Sequence, residues 1–129
     1  MIVIDSSAVV AIFLDEPEKQ VFKSFIEAAD NVMSTFNAFE TRTVLLGRRG
    51  VPAAAAFEQW LENNRVVVTP FDEGQSVLAF QAYARFGKGF HRARLNMGDC
   101  AAYALAKSLD APLLFKGDDF RLTDVSPAL

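Results

Sequence analysis

The chain has 129 residues but only one cysteine and one histidine. The lone Cys100 excludes an internal disulfide framework and a cysteine-based zinc site, and it fits a reducing cytoplasm. The lone His91 excludes a metal-free reaction in which two histidines serve as acid and base. It also lacks the His or Cys companions of a metal ligand. Long apolar runs are missing as well, so no stretch reaches the length needed to cross a bilayer. The N-terminal residues carry neither the basic head nor the small-residue cleavage site of a secretion signal. Repeats, low-complexity tracts and linkers are absent. These absences lead us to expect one domain over residues 1–129, cytoplasmic and without a membrane role. Large net charge is also lacking: the balance is −3, with pI near 5.1, so overall charge gives no hint of nucleic acid. Acidic residues are missing from Gly74 to Gly98, however, where Arg85, Lys88, His91, Arg92 and Arg94 gather.

Apolar residues are plentiful, at 51%, which is enough for a core. Met1 to Ile4 reads as a buried strand. Helices are expected over Ser7–Leu14, from Pro17 to about Asp30, over Thr35–Arg49, Pro52–Asn63, Asp72 to about Phe86, and Asp99–Leu109. Asn31–Ser34, "RVVVTP" and "PLLFK" read as strands, "GKGFHRARLNMG" as a loop, and Thr123–Val125 as an edge strand. Strands alternating with helices predict an α/β fold, a three-layer α/β/α sandwich with a mainly parallel sheet. Ligands in such folds bind beyond the carboxyl ends of the strands. Asp5 follows the first strand and Asp118/Asp119 follow "LLFKG", so both belong to that edge.

Each acid has an ordinary reading beside a functional one. Asp5 before two serines is good helix-capping chemistry. Glu40 lies on the stripe of Phe36 and Val44, where a buried carboxylate needs a partner; Arg42 or Arg48 would supply one if the face is ordinary. Asp99 opens a helix, where the dipole favours it. Asp118 and Asp119 suit a turn. Taken together, acids far apart in sequence recur at strand ends, a helix start and an apolar face. Such a cluster repels itself and calls for a cation. Oxygen ligands alone select Mg²⁺ or Mn²⁺, ions that act on phosphate oxygens. Ser7 could hydrogen-bond a ligand, a water or the backbone.

"IVIDSSAVVAIFLDEPE", the Glu of "STFNAFET", "GKGFHRARLNMGDCAAYALAKSLDAPLLFKGDDF" and the following "TD" resemble the PIN-domain ribonucleases, and within them the VapC-like toxins. The resemblance runs from Ile2 to about Val125. It implies an acidic site binding Mg²⁺ or Mn²⁺ and RNA hydrolysis leaving a 5′-phosphate and a 3′-hydroxyl. It places the family's acids on Asp5, Glu40, Asp99 and, in "GDDF", on Asp119 with Asp118 as a neighbour. Its small hydroxyl residue falls on Ser6 or Ser7. On this reading Asp5, Asp99 and Asp119 hold metal, and Glu40 supports them or orients water. Arg85, Lys88, His91, Arg92 and Arg94 contact RNA, with Phe86 and Phe90 stacking on bases. A homodimer and a small cognate antitoxin are implied partners. Two other readings compete. A phosphoacceptor receiver is disfavoured because "RVVVTP" ends on Thr69 where an Asp is wanted, and a catalytically inactive binding module is disfavoured by the intact acid set.

Overall fold

The computed structural model describes all 129 residues, Met1–Leu129. Four parallel strands form one sheet in the order β3-β2-β1-β4: β1 (Ile2–Ile4), β2 (Asn31–Ser34), β3 (Val67–Thr69) and β4 (Leu113–Leu114). Six helices cover it: α1 (Ser6–Phe13), α2 (Lys19–Glu27), α3 (Thr35–Arg49), α4 (Val51–Asn63), α5 (Glu73–Phe86) and α6 (Met97–Leu109). A 3₁₀ turn follows at Asp119–Leu122. The order differs from the 2-1-3-4-5 of receiver-type sheets.

Period-two alternation in the strands builds the three layers. Ile2, Ile4, Met33 and Leu114 point into a core shared with α1 to α4. Val3, Val32 and Leu113 point the other way, into a core with α5, α6 and the C-terminal tail. Helix α6 is buried at Gly98 and from Cys100 to Ala106, and its alanines let it lie close to the sheet and to α5. After β3 the chain crosses past β2 and β1 to reach β4, so the connection reverses direction beside β1. Carboxyl ends at such a reversal open a crevice. Asp5 and the turn carrying Asp119 flank it.

The structure corrects several expectations. No strand forms at Thr123–Val125; the tail instead makes an isolated bridge between Pro127 and Leu113, after the 3₁₀ turn. Helix α6 begins two residues before Asp99, because Asn96 rather than Asp99 is its cap. Helix α2 is shorter than its pattern suggested, and α1 starts one residue earlier. On α3 the buried face is Asn37, Ala38, Thr41 and Leu45, whereas Phe39 and Leu46 face solvent. The Phe36–Glu40–Val44 stripe is the half-buried margin of that face.

Candidate metal-binding acidic site

Asp5 is a helix cap and Asp99 the third-residue partner in a capping box, and this chemistry explains how each is held. Asp5 caps α1, with its Oδ2 accepting from the Ser7 backbone N–H at 3.0 Å. Asp99 is the third helical residue of α6 and closes a capping box. Its N–H donates to Asn96 Oδ1 at 2.8 Å, and its Oδ2 accepts from the Asn96 N–H at 3.0 Å. In each case one carboxylate oxygen is used by the backbone. The other is not: Asp5 Oδ1 is buried without any hydrogen-bond partner. A buried acceptor in that state is costly unless a ligand completes it.

Glu40 reaches the same edge from α3. Neither Arg42 nor Arg48 pairs with it; Arg42 is held by Glu58. Instead Glu40 Oε1 accepts from Ser6 Oγ at 2.5 Å and from Asn37 Nδ2 at 3.2 Å. Its carboxylate lies over Gly98, where an added Cβ would come within 2.6 Å of Glu40 Cδ. Ser7 is occupied differently, accepting from the Lys116 N–H at 2.9 Å and so joining α1 to the end of β4. Lys116 itself turns away to Glu16, with Glu18 at 3.6 Å.

The electrostatics follow from burial and crowding. Burial pushes Asp5 up to about 7, and the charges of Asp99 and Glu40 add to it against the relief given by Ser7. Asp99 rises to about 6, again chiefly through burial, with Glu40 and Asp119 adding repulsion. No lysine or arginine offsets either group. Asp119 therefore bears on Asp99 from the 3₁₀ turn, whereas Asp118 is an exposed residue preceding it and does not. No three Asp, Glu, His or Cys side chains yet enclose a common point. The donor set is nonetheless all oxygen, and it includes the orphaned Asp5 Oδ1, so in kind it fits a hard divalent cation.

The basic segment is divided by the structure. Arg85 is drawn to Asp124 at 3.3 Å and lies over the Phe86 ring. His91 packs edge-on to Phe86, and its Nδ1 accepts from the Ala93 N–H at 3.0 Å, a local structural bond. Phe86 belongs to the core, while Phe90 is exposed. Lys88, Arg92 and Arg94 remain exposed and unpaired on a loop closed by the Gly87–Leu95 bridge. Lys88 also lines a cleft of about 390 Å³ with Phe36, Glu40, Tyr83, Met97 and Gly98, which joins this loop to the acids. Sequence reading missed Asn37, Asn96 and Gly98. Asn37 had one visible signal, a polar residue one turn before Glu40.

The model of the PIN domain family matches residues 2–125. A ribonuclease VapC of Mycolicibacterium smegmatis is 48% identical over 126 residues, covering 96% of this chain and 97% of that protein. Ribonuclease VapC30 of Mycobacterium tuberculosis is 43% identical over 125 residues, covering 96% and 95%. Among solved structures, Mycobacterium tuberculosis VapC20, described as a sarcin-ricin loop cleaving toxin, superposes with a TM-score of 0.76 at 21% identity, over 98% of this chain and all of that one. FitAcB from Neisseria gonorrhoeae gives 0.66 at 20% identity, over 98% and 96%. At those identities the structural likeness is one of fold.

Proposed function

The chain belongs to the PIN-domain family, with VapC ribonucleases among its relatives, and from that premise we propose that it is a metal-dependent endoribonuclease acting as the toxin of a toxin–antitoxin pair. The observation that carries the proposal is the set of carboxylates left without cations at the reversal of the sheet. Asp5, Asp99 and Asp119 would hold Mg²⁺ or Mn²⁺. Such an ion supplies a water of lowered pKa and offsets charge on phosphate oxygens. Asp5 contributes its unpartnered Oδ1 from a rigid strand end. Glu40, fixed through Oε1 by Ser6 and Asn37, keeps its second oxygen for orienting a water. Asp118 is a solvated neighbour of this set.

RNA would approach across the loop of Lys88, Arg92 and Arg94, which are free to meet phosphates, while Phe90 offers a stacking face. Arg85 and His91 would contribute by shaping that loop, since both are engaged within the chain. Phe80 and Met97, exposed on one apolar groove with Phe36 and Phe71, offer a face that a homodimer would cover, and a cognate antitoxin would restrain the enzyme in the cytoplasm. No helix is long and apolar enough to cross a membrane.

Purified protein should cut RNA with Mg²⁺ or Mn²⁺ and stop in EDTA. Expression without antitoxin should arrest growth, and Asp5→Asn should relieve the arrest. Cleavage that continues unchanged in chelator would contradict the proposal, and so would cleavage that survives both Asp5→Asn and Asp99→Asn.

A further inference from the structure

Asn37 lies on the inward face of α3, fully buried, three residues before Glu40. Its amide nitrogen donates to two acceptors, the Gly98 carbonyl at 2.9 Å and Glu40 Oε1 at 3.2 Å. These belong to different elements. Glu40 is on α3, whereas Gly98 is in the first turn of α6, one residue before Asp99. One side chain thus ties an acid of one helix to the turn that carries an acid of another.

The orientation of the amide is forced. Turned over, Oδ1 would face a carbonyl and a carboxylate oxygen. As it stands, Oδ1 is buried and meets no donor. An unpaired buried acceptor lowers stability, and an apolar side chain of similar volume would avoid the cost. Rules of packing broken without a packing gain mark functional positions. The contact with Gly98 has the same character, because the Glu40 carboxylate occupies the space a Cβ would fill. Glu40 and Asp99 are like charges on separate helices; Ser6 Oγ also holds the Glu40 carboxylate, but Asn37 alone bonds both it and the turn of α6 that carries Asp99.

We propose that Asn37 is a positioning residue that fixes the separation of Glu40 and Asp99 by clamping α3 to the first turn of α6. The inference rests on the metal-dependent reading above. Asn37 touches neither metal nor RNA; it acts through the two acids.

The test compares wild type with Asn37→Leu, Asn37→Ala and Asn37→Ser, each below its melting temperature. Three quantities are read: melting in EDTA, Mn²⁺ binding without RNA, and kcat against KM for RNA cleavage. Asn37→Leu should melt at or above wild type in EDTA. Its Mn²⁺ dissociation constant should nevertheless rise, and its kcat fall, by about 10-fold or more, the usual effect of removing a group that orients ligands. KM should hold. Asn37→Ala should lose binding and kcat likewise, and Asn37→Ser, with one donor for two acceptors, should fall between. Folded Leu or Ala variants within about two-fold of wild type in Mn²⁺ affinity and kcat would overturn the inference and leave the metal reading intact. Failure of all three variants to fold would assign Asn37 to the core alone and overturn it too. A wild type that binds no Mn²⁺ would remove the metal reading, and this inference with it.

Discussion

The acids at the carboxyl edge of the sheet and the acid of the C-terminal tail have opposite surroundings. Asp124 accepts from Tyr103 Oη at 2.5 Å and is flanked by Arg85 at 3.3 Å and Lys107 at 3.4 Å. The Tyr103 hydroxyl first, then Lys107 and Arg85, hold its carboxyl below the ordinary range. Asp5 and Asp99 have no such neighbours and are pushed upward. The chain does not lack cations: Lys19, Arg42 and Lys116 also find acids elsewhere. Pairing is withheld at the one edge where burial makes ionised carboxylates most costly. An arrangement that sacrifices stability locally while neutralising charge elsewhere is what the proposed metal site requires.

The largest effect that separates the two regions is the pH dependence of stability. Asp5 is raised from 3.8 to about 7 in the folded protein, so folded Asp5 binds more protons than unfolded Asp5 between those values. Stability must then fall as pH rises through that window. At about 1.36 kcal/mol per pH unit, ionised Asp5 costs on the order of 4 kcal/mol once the pH exceeds 7. Asp124 has the opposite sign: its contribution is present above its unfolded pKa and is lost as pH falls through the lower folded value. Melting of metal-free wild type should therefore improve from pH 8 to about pH 5, and most of that gain should vanish in Asp5→Asn. A pH profile that Asp5→Asn leaves unchanged would show that Asp5 is not the group that titrates there.

A smaller effect comes from the tail. Asp124→Ala should destabilise by about 1–2 kcal/mol, a modest figure because the side chain is 41% exposed. Melting should fall by a few degrees, and the shift induced by Mg²⁺ should stay that of wild type. Loss of the Mg²⁺ shift would place Asp124 in the acid set.

The smallest effect concerns the loop between these regions. Replacing Arg92 and Arg94 with alanine should make the salt dependence of RNA binding shallower, by roughly one unit or less per lost phosphate contact. Arg85→Ala should change the slope less, because Asp124 already engages it. Equal slopes for all three would remove the distinction between free and paired cations.

The parallel sheet was legible because β-branched runs alternate with helical patterns, and Asp5, Glu40 and Asp99 stood out as acids at strand ends, helix starts or apolar margins. Asp5 and Asp99 have two readings for a sound reason: one caps a helix, the other closes a capping box, and the bond uses only one oxygen of each. Other features depend on tertiary contacts. The buried face of α3 lies one position beyond the stripe of Phe36, Glu40 and Val44, because the structure buries Asn37 and Thr41, two polar residues that no apolar pattern marks. Polar residues satisfied across elements, such as Ser6 with Glu40, leave no periodic trace. Thr123 and Val125 have strand-like composition, but Phe120 in the core and the Asp124 cluster pin the tail as a turn. The partners of Arg85 and His91, Asp124 and the Ala93 N–H, are likewise set by the folded backbone and not by composition.

If the edge carboxylates repel one another for want of a cation, thermal melting of wild type and Asp5→Asn at pH 8, in EDTA and in Mg²⁺, will separate the two proteins. In EDTA the mutant should melt several degrees above wild type, because a buried charge without a partner has been removed. In Mg²⁺ wild type should rise and the mutant should rise much less. Equal melting in EDTA together with equal Mg²⁺-induced shifts would show that Asp5 is a helix cap and nothing more.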